Sequence, residues 1–153
     1  MKGLENKIPP PAVALLVATA MWGLAEATPN LPVDNTTRLA LVALCYLLGA
    51  GFSLGGVMSF RRAKTTVNPL KPESASALVD TGIYRYTRNP MYVGFALFLL
   101  AWAVFLSSLW ALLGLPLFIA YIQHFQIRPE ERALERIFGS EFLDYKRRVR
   151  RWL

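Results

Sequence analysis

Two short polar stretches beside apolar segments contain the residue types best suited to chemistry. The first, residues 82–94, has the sequence GIYRYTRNPMYVG and combines three tyrosines with two arginines. The second, residues 128–131, has the sequence RPEE. Cationic and aromatic side chains crowded at the start of an apolar helix are typical of a membrane–water interface. We therefore expect a site at a membrane surface, with the rest of the chain holding the two stretches together.

The remaining polar residues leave few other types of site. The chain has no hydrolase nucleophile motif, no phosphate-binding glycine loop and no His/Cys metal cluster. Cys45 is the only cysteine, which excludes an intrachain disulfide and a cysteine-based metal site. His124 is the only histidine and lies in an apolar segment. It is either a proton shuttle or, as its surroundings favour, a structural histidine or a substrate contact.

The Glu130–Glu131 pair has two interpretations that the residues alone do not separate. Acidic residues in a first turn stabilise a helix N-terminus, and Pro129 suits the first helical position. The same carboxylates would also serve as ligand-binding groups.

Composition places the chain in a membrane. Its 153 residues make one domain, residues 1–153, with 54% hydrophobic residues and a mean hydropathy of +0.35. The net charge of +7 argues for an anionic membrane face and not for nucleic acid, because the basic residues flank the apolar blocks.

The apolar blocks predict an all-α, polytopic membrane protein. Pro116 predicts a kink in the last block, and Gly51 and Gly55 have the spacing of close helix packing, within the chain or in a homodimer. After the last block, a charged amphipathic helical segment is expected, with a break at Gly139. The four predicted transmembrane helices are residues 12–27, 39–60, 91–106 and 109–127, followed by the amphipathic segment 128–153.

Charge also predicts the orientation. The loop 61–90 and the segment 128–153 are strongly basic, whereas the connector 28–37 is nearly neutral and the turn 107–108 is uncharged. The positive-inside rule then puts the loop, the amphipathic segment and both termini in the cytoplasm, for a bacterial protein at the inner membrane. Both polar stretches would face the same compartment.

The two stretches also resemble a known family. Residues 81–86, TGIYRY, and 88–94, RNPMYVG, resemble the Arg-His-Pro-x-Tyr-x-Gly signature of isoprenylcysteine carboxyl methyltransferases. Residues 130–134 and 138–149 resemble the C-terminal block of the same family, and phospholipid N-methyltransferases share a looser version. The resemblance covers about residues 61–153.

The resemblance implies an integral membrane methyltransferase with S-adenosylmethionine bound at the cytoplasmic ends of the last spans. It implies catalytic roles for Arg88, Asn89 and Tyr92, and no metal. The cofactor-binding residues expected from it are Tyr84, Tyr86, Arg88, Asn89, Tyr92, Gly94, His124, Glu130, Glu131 and Tyr145.

These residue types suit that cofactor. It carries the reactive methyl group, so the protein mainly binds, orients and stabilises charge. Tyrosine faces stabilise a sulfonium cation, and Arg88 or a C-terminal arginine would receive the methionyl carboxylate. Glu130 and Glu131 would accept hydrogen bonds from the ribose hydroxyls or the ammonium group.

Two departures from the family pattern bear on the acceptor. Asn89 stands where histidine is usual, and an asparagine cannot act as a base near neutral pH. Phe142 stands where tyrosine is usual. A carboxylate on a lipophilic or prenylated thioether is the first expectation, because it is already ionised and needs no base.

Other functions stay open. A phospholipid amine and a small thiol are alternative acceptors. Outside the enzymes, a membrane scaffold or a transporter subunit is the alternative, although internal repeats and paired intramembrane charges are absent from the sequence. The expected partners are a lipophilic substrate and membrane lipids.

Overall fold

A computed structural model describes residues 5–64 and 76–153, and the described residues form helices and turns without strands. The all-α prediction is therefore confirmed for this part of the chain. Single helical turns lie at Gly82–Arg85, Trp110–Leu113 and Gln123–Ile127. The helices are α1 (Pro10–Glu26), α2 (Asn35–Arg62), α3 (Pro90–Phe105), α4 (Gly114–Ile122), α5 (Arg128–Phe138) and α6 (Ser140–Arg148).

The first three helices begin where local chemistry predicts. α1 and α3 each carry proline at the first position, where the missing N–H costs nothing. α2 begins after Asp34, whose side chain accepts a 2.9 Å hydrogen bond from the Thr37 N–H. The predicted apolar blocks 12–27, 39–60 and 91–106 match these helices to within a few residues.

The fourth apolar helix continues beyond its predicted end at residue 127. It runs from Trp110 to Phe138 through a 3₁₀ turn, α4, a π turn and α5. Pro129 has no N–H to donate to the Phe125 carbonyl, and the Asn6 N–H fills that place at 3.0 Å. Pro116 lies in the first turn of α4, just after the change from 3₁₀ to α geometry, and the kink expected there stays a prediction.

One apolar core lies between α1, α3 and α4. The Trp102 indole donates a 3.0 Å hydrogen bond to the Ala18 carbonyl and so joins α3 to α1. At the tight turn after α3, Ser107 and Ser108 are buried, and the Ser107 carbonyl accepts a 2.6 Å hydrogen bond from the Leu31 N–H. The predicted turn at residues 107–108 is therefore part of the packed structure.

Glycines form the contact between α2 and α3. A Cβ on Gly94 would clash with Ser53 Oγ and lie 2.8 Å from the Gly49 carbonyl, and one on Gly56 would meet Met91. The predicted pair Gly51 and Gly55 has no such role, since a Cβ on Gly51 would meet nothing within 4 Å. The close approach instead uses the face that carries Gly49 and Gly56.

Within residues 5–64 and 76–153, two helices are long and apolar enough to cross a membrane, Asn35–Arg62 and Trp110–Phe138. Only 11% of the apolar window of α2 is buried, unlike the core helix of a soluble domain. α1 and α3 have 17 and 16 residues, about 24–26 Å at the helical rise and somewhat short of a core of about 30 Å. The long apolar helices indicate a membrane protein, and the four-span arrangement stays a prediction.

Both polar stretches lie at one end of the helices, which we call the polar end. α1 and α3 start there, α2 ends there, and the fourth apolar helix passes from α4 into α5 there, as shown by the contacts Asn6–Phe125 and Gly56–Met91. The opposite end contains the turn at residues 107–108 and the connector to α2. The predicted loop 61–90 belongs to the polar end, although its residues 65–75 lie outside the described residues.

The segment 128–153, predicted to be an amphipathic helical segment, forms two helices followed by a non-helical end. Gly139 separates α5 from α6 with φ +52°, which favours glycine, so the predicted break is confirmed. α6 ends at Arg148, and Val149 is extended. The last residues, 149–153, leave the helix and cross the polar end; we call them the C-terminal strap.

Candidate functional site

The segment before α3 is fixed by its own side chains. Thr87 is fully buried, and its hydroxyl accepts a 3.1 Å hydrogen bond from the Asn89 N–H. The Asn89 carbonyl in turn accepts from the N–H groups of Tyr92 and Val93 in the first turn of α3. This arrangement places the Asn89 and Tyr92 side chains at the polar end of the bundle.

A cluster of two arginines and one glutamate joins this segment to α5. Glu131 Oε1 accepts from Arg88 Nη2 at 2.7 Å and from Arg151 Nε at 3.0 Å, and Glu131 Oε2 accepts from Arg151 Nη2 at 2.6 Å. The Arg151 contact is a bidentate fork. The hydrogen bonds that Arg151 donates to Glu131 raise the pKa of Arg151, so this guanidinium stays charged.

The neighbouring carboxylate has a different environment. Glu130 Oε1 accepts a 2.5 Å hydrogen bond from the Tyr92 hydroxyl, and no cation pairs with Glu130 among the described residues. Glu130 lies deep among protein atoms but keeps part of its surface accessible. Its second oxygen accepts no hydrogen bond from the described residues, so this acceptor is available to a ligand.

The two interpretations of the Glu130–Glu131 pair can now be compared. Ile127 is helical, with φ −63° and ψ −46°, and α5 continues the preceding turn. Position 128 is therefore not a free helix N-terminus, and Glu130 and Glu131 are not explained by stabilisation of a helix start. The carboxylates contact Tyr92, Arg88 and Arg151 instead, and their role in ligand binding stays a prediction.

Arg88 is occupied by protein groups. Its Nη1 donates to the carbonyls of Val149 at 2.5 Å and Lys146 at 3.3 Å, where α6 ends, and its Nη2 binds Glu131. Its Nε is buried without a partner, and the side chain is only 10% exposed. Arg88 therefore caps α6 and positions Glu131.

The C-terminal strap closes over this cluster. The Arg150 carbonyl accepts a 2.9 Å hydrogen bond from the Arg88 N–H, and the Arg151 carbonyl accepts from Asn89 Nδ2 at 2.8 Å. Trp152 Nε1 donates to Gln123 Oε1 at 3.2 Å. Sequence reasoning missed the strap because its basic residues look like a continuation of α6; the extended Val149 is visible only in the structure.

Tyr84 and Tyr145 form a second apolar cluster behind the site. The Tyr145 hydroxyl donates to the Tyr84 carbonyl at 2.9 Å, and Phe142 beside them is 1% exposed. Burial raises the pKa of both tyrosines, so both phenols stay neutral. The dry surroundings explain why phenylalanine is accepted at position 142.

Besides Tyr84 and Tyr145, three further predicted site residues lie outside the site. Tyr86 is 73% exposed, and His124 is exposed and contacts Arg128 at 3.3 Å. Gly94 faces α2, and helix packing accounts for a glycine there. Their contacts with a cofactor stay predictions. The structure brings together Arg88, Asn89, Tyr92, Glu130 and Glu131, and it adds Thr87 and Arg151.

Comparison with known proteins gives the family. The family model for phospholipid methyltransferase matches residues 37–141, more than half of the chain. The chain belongs to the phospholipid methyltransferase family. The match spans α2 to α6, so it includes both polar stretches, and the predicted methyltransferase family is confirmed.

Individual relatives agree. A protein-S-isoprenylcysteine O-methyltransferase of Saccharomyces cerevisiae is 35% identical over 82 residues, which are 52% of this chain and 33% of the yeast protein. The Mus musculus protein of the same name is 35% identical over 74 residues, 47% of this chain and 25% of its own length. An uncharacterized Haemophilus influenzae protein is 49% identical over its whole length of 63 residues, which are 41% of this chain.

The chain therefore matches a third or less of the length of the two named relatives. No solved structure matches the chain.

Proposed function

We propose that the chain transfers a methyl group from S-adenosylmethionine to a carboxylate on a lipophilic acceptor at the cytoplasmic membrane face. The observation that carries the proposal is the paired environment of Glu130 and Glu131. One carboxylate is neutralised by two arginines, and the other is deep, accessible and bonded only to Tyr92 among the described residues.

The donor and acceptor groups fit an adenosyl amino acid. The second oxygen of Glu130 offers an acceptor to an ammonium group or a ribose hydroxyl. When bound, the cofactor supplies an electrophilic methyl group on a sulfonium. The chain supplies binding, orientation and exclusion of water.

The residues around Asn89 support an acceptor that needs no base. Asn89 Nδ2 is bound to the Arg151 carbonyl, and an amide cannot take up a proton near neutral pH. A carboxylate acceptor arrives ionised and attacks the methyl carbon directly. The names of the yeast and mouse relatives support O-methylation as well.

The membrane arrangement we propose has four spans with both termini in the cytoplasm. The polar end carries most of the positive charge, including Arg61 and Arg62 in the last turn of α2 and Lys64 just after it, which supports a cytoplasmic polar end. The helices α1 and α3 are shorter than the bilayer core is thick, so the bilayer would be locally thinner around them. A lipophilic acceptor would enter sideways from the bilayer.

A phospholipid amine is the second candidate acceptor, and the matching family model supports it. An ammonium group must first lose a proton, so amine methylation would rise steeply with pH, whereas carboxylate methylation would not.

The test is transfer of radiolabelled methyl from S-adenosylmethionine by the purified protein into a total lipid and small-molecule extract. A methyl ester releases labelled methanol on mild alkaline treatment, and a methylated amine keeps its label. We expect alkali-labile product. Stable label would favour the amine, and absence of transfer to any fraction would contradict the proposed function.

A further inference from the structure

An adenosyl amino acid ends in a carboxylate, and the polar end offers several arginines to receive it. A guanidinium binds a carboxylate well only if it still has N–H donors on an accessible edge. The hydrogen bonds of each arginine therefore decide which of them is available.

Arg88, the arginine of the sequence motif, has no accessible edge. Its Nη1 is shared between the carbonyls of Lys146 and Val149, its Nη2 faces Glu131, and its Nε is buried. With 10% of its side chain exposed, it cannot turn towards a ligand without losing its hydrogen bonds to Glu131 and to the carbonyls at the end of α6.

Arg151 has such an edge. Its Nε and Nη2 form the fork on Glu131, and its Nη1 makes no hydrogen bond to the described residues. The side chain is 31% exposed, three times as much as that of Arg88. The strap holds it in place, because the Arg151 carbonyl is bound by Asn89 and Thr87.

The charges also favour an anion here. Arg88 and Arg151 contribute two positive charges and Glu131 one negative charge, so this cluster has one positive charge in excess. The exposed arginines of α6 are less suited, since Arg147 pairs with Asp144 and Arg148 with Asp80. Next to the cluster, Glu130 offers an acceptor for an ammonium group.

We infer that Arg151 binds the carboxylate of the adenosyl amino acid through its outer edge while its inner edge positions Glu131. This inference rests on the proposed function. It makes the C-terminal strap a contributor of one ligand-binding group, and it assigns to Asn89 the role of holding the strap by its backbone. The carboxylate of the ligand and the carboxylate of Glu131 would lie on opposite edges of one guanidinium.

The test compares two ligands that differ only in the carboxylate. S-adenosylhomocysteine has it, and S-adenosyl-3-thiopropylamine is the same thioether without it. Calorimetry on detergent-purified full-length protein should show that the wild type prefers the first ligand by about tenfold to a hundredfold, the usual range for a charge-assisted contact. Arg151→Gln, which keeps an amide donor for Glu131, should bind both ligands equally.

Two further variants make the result decisive. Arg150→Ala removes the adjacent exposed arginine and keeps the backbone contact of the strap, so its preference should equal that of the wild type. Arg151→Lys keeps the charge without the fork and should retain part of the preference, which protects the test if Arg151→Gln folds poorly.

Three outcomes would count against the two proposals in different ways. If Arg151→Gln weakens both ligands equally and keeps the preference, Arg151 only positions Glu131 and the inference is wrong. Loss of preference in Arg150→Ala alone would move the role to that residue. If the wild type binds neither ligand, the proposed function itself fails.

Discussion

The apolar part and the polar end of the molecule are held together by different forces. Along the apolar part, α2 approaches α3 through Gly49, Gly56 and Gly94, with van der Waals contact and no ion pair among the described residues. At the polar end, charge-assisted hydrogen bonds join residues that are 43 to 61 positions apart, such as Arg88–Glu131 and Arg88–Val149. Close packing therefore positions the helices, and charge-assisted hydrogen bonds position the site residues.

This difference has a physical reason. Lipid tails are as apolar as leucine side chains, so helices in a bilayer gain little by burying more of them and associate through close backbone contact. The polar end meets water and a charged ligand, where a guanidinium–carboxylate fork gives both direction and specificity. Substitutions in the apolar part should therefore change mainly stability, whereas substitutions at the polar end should also change ligand binding.

The largest effect is expected for Glu131→Gln. It leaves Arg88 and Arg151 facing a neutral amide in a site where the Glu131 side chain is 12% exposed, and should cost about 3 kcal/mol of unfolding free energy. Chemical denaturation in detergent measures it. Glu135→Gln, which removes the partner of Lys146 from a 45% exposed position, is the matched control with a cost of at most about 1 kcal/mol.

Gly94→Ala tests the apolar part. Its methyl group would lie 2.8 Å from the Gly49 carbonyl and closer still to Ser53 Oγ, so α2 must move, at about 1–3 kcal/mol. Gly51→Ala is the control, because its methyl group meets nothing within 4 Å and alanine favours a helix. Thermal unfolding should rank Gly94→Ala below the wild type and Gly51→Ala at or slightly above it; the reverse order would contradict the close glycine contact between α2 and α3.

Tyr92→Phe should affect ligand binding more than folding. It removes the hydroxyl that binds Glu130, at about 1 kcal/mol in stability, and leaves Glu130 without a donor among the described residues. Affinity for S-adenosylhomocysteine should fall about tenfold. Tyr121→Phe removes a buried hydroxyl that has no partner in the structure, and it should change neither quantity. Equal effects of the two variants would contradict a role for Tyr92.

Trp152→Phe should have the smallest effect. It deletes the hydrogen bond from Nε1 to Gln123 while keeping most of the apolar contact, at about 1 kcal/mol or less. The Arg88 N–H donates to the Arg150 carbonyl in the strap, so this amide hydrogen should exchange faster once the strap is loosened. Hydrogen–deuterium exchange measures the rate. Trp110→Phe, at a 53% exposed position, should leave this amide unchanged.

The sequence predicted the helices better than the contacts. Apolar blocks bounded by proline and polar turns were enough to place α1, α2 and α3, because those signals are local. The continuation through Pro129 could not be predicted, since it depends on the Asn6 N–H, far away in the chain. The C-terminal strap was mistaken for helix for the same reason: its conformation depends on contacts with residues 87–89.

For the site, residue types were predictable and partners were not. The sequence suggested Arg88 or a C-terminal arginine as the cation for the ligand carboxylate, and in the structure Arg88 is bound to Glu131 and to the end of α6. Arg151 was not named, because no local signal separates it from the arginines beside it. Only the structure shows which guanidinium N–H groups are already bound to other protein groups. The glycine contact was predicted in kind but assigned to Gly51 and Gly55, and only the orientation of α2 shows the correct face.

The central claim is that the polar end binds an adenosyl amino acid at Glu130. Calorimetric titration of the detergent-purified protein with S-adenosylhomocysteine tests it most directly, in the wild type and in Glu130→Ala, with Glu26→Ala at the exposed end of α1 as control. We expect saturable binding by the wild type and Glu26→Ala, and a loss of about tenfold or more in Glu130→Ala. Undiminished affinity in Glu130→Ala, or no binding by the wild type at millimolar ligand, would contradict the claim.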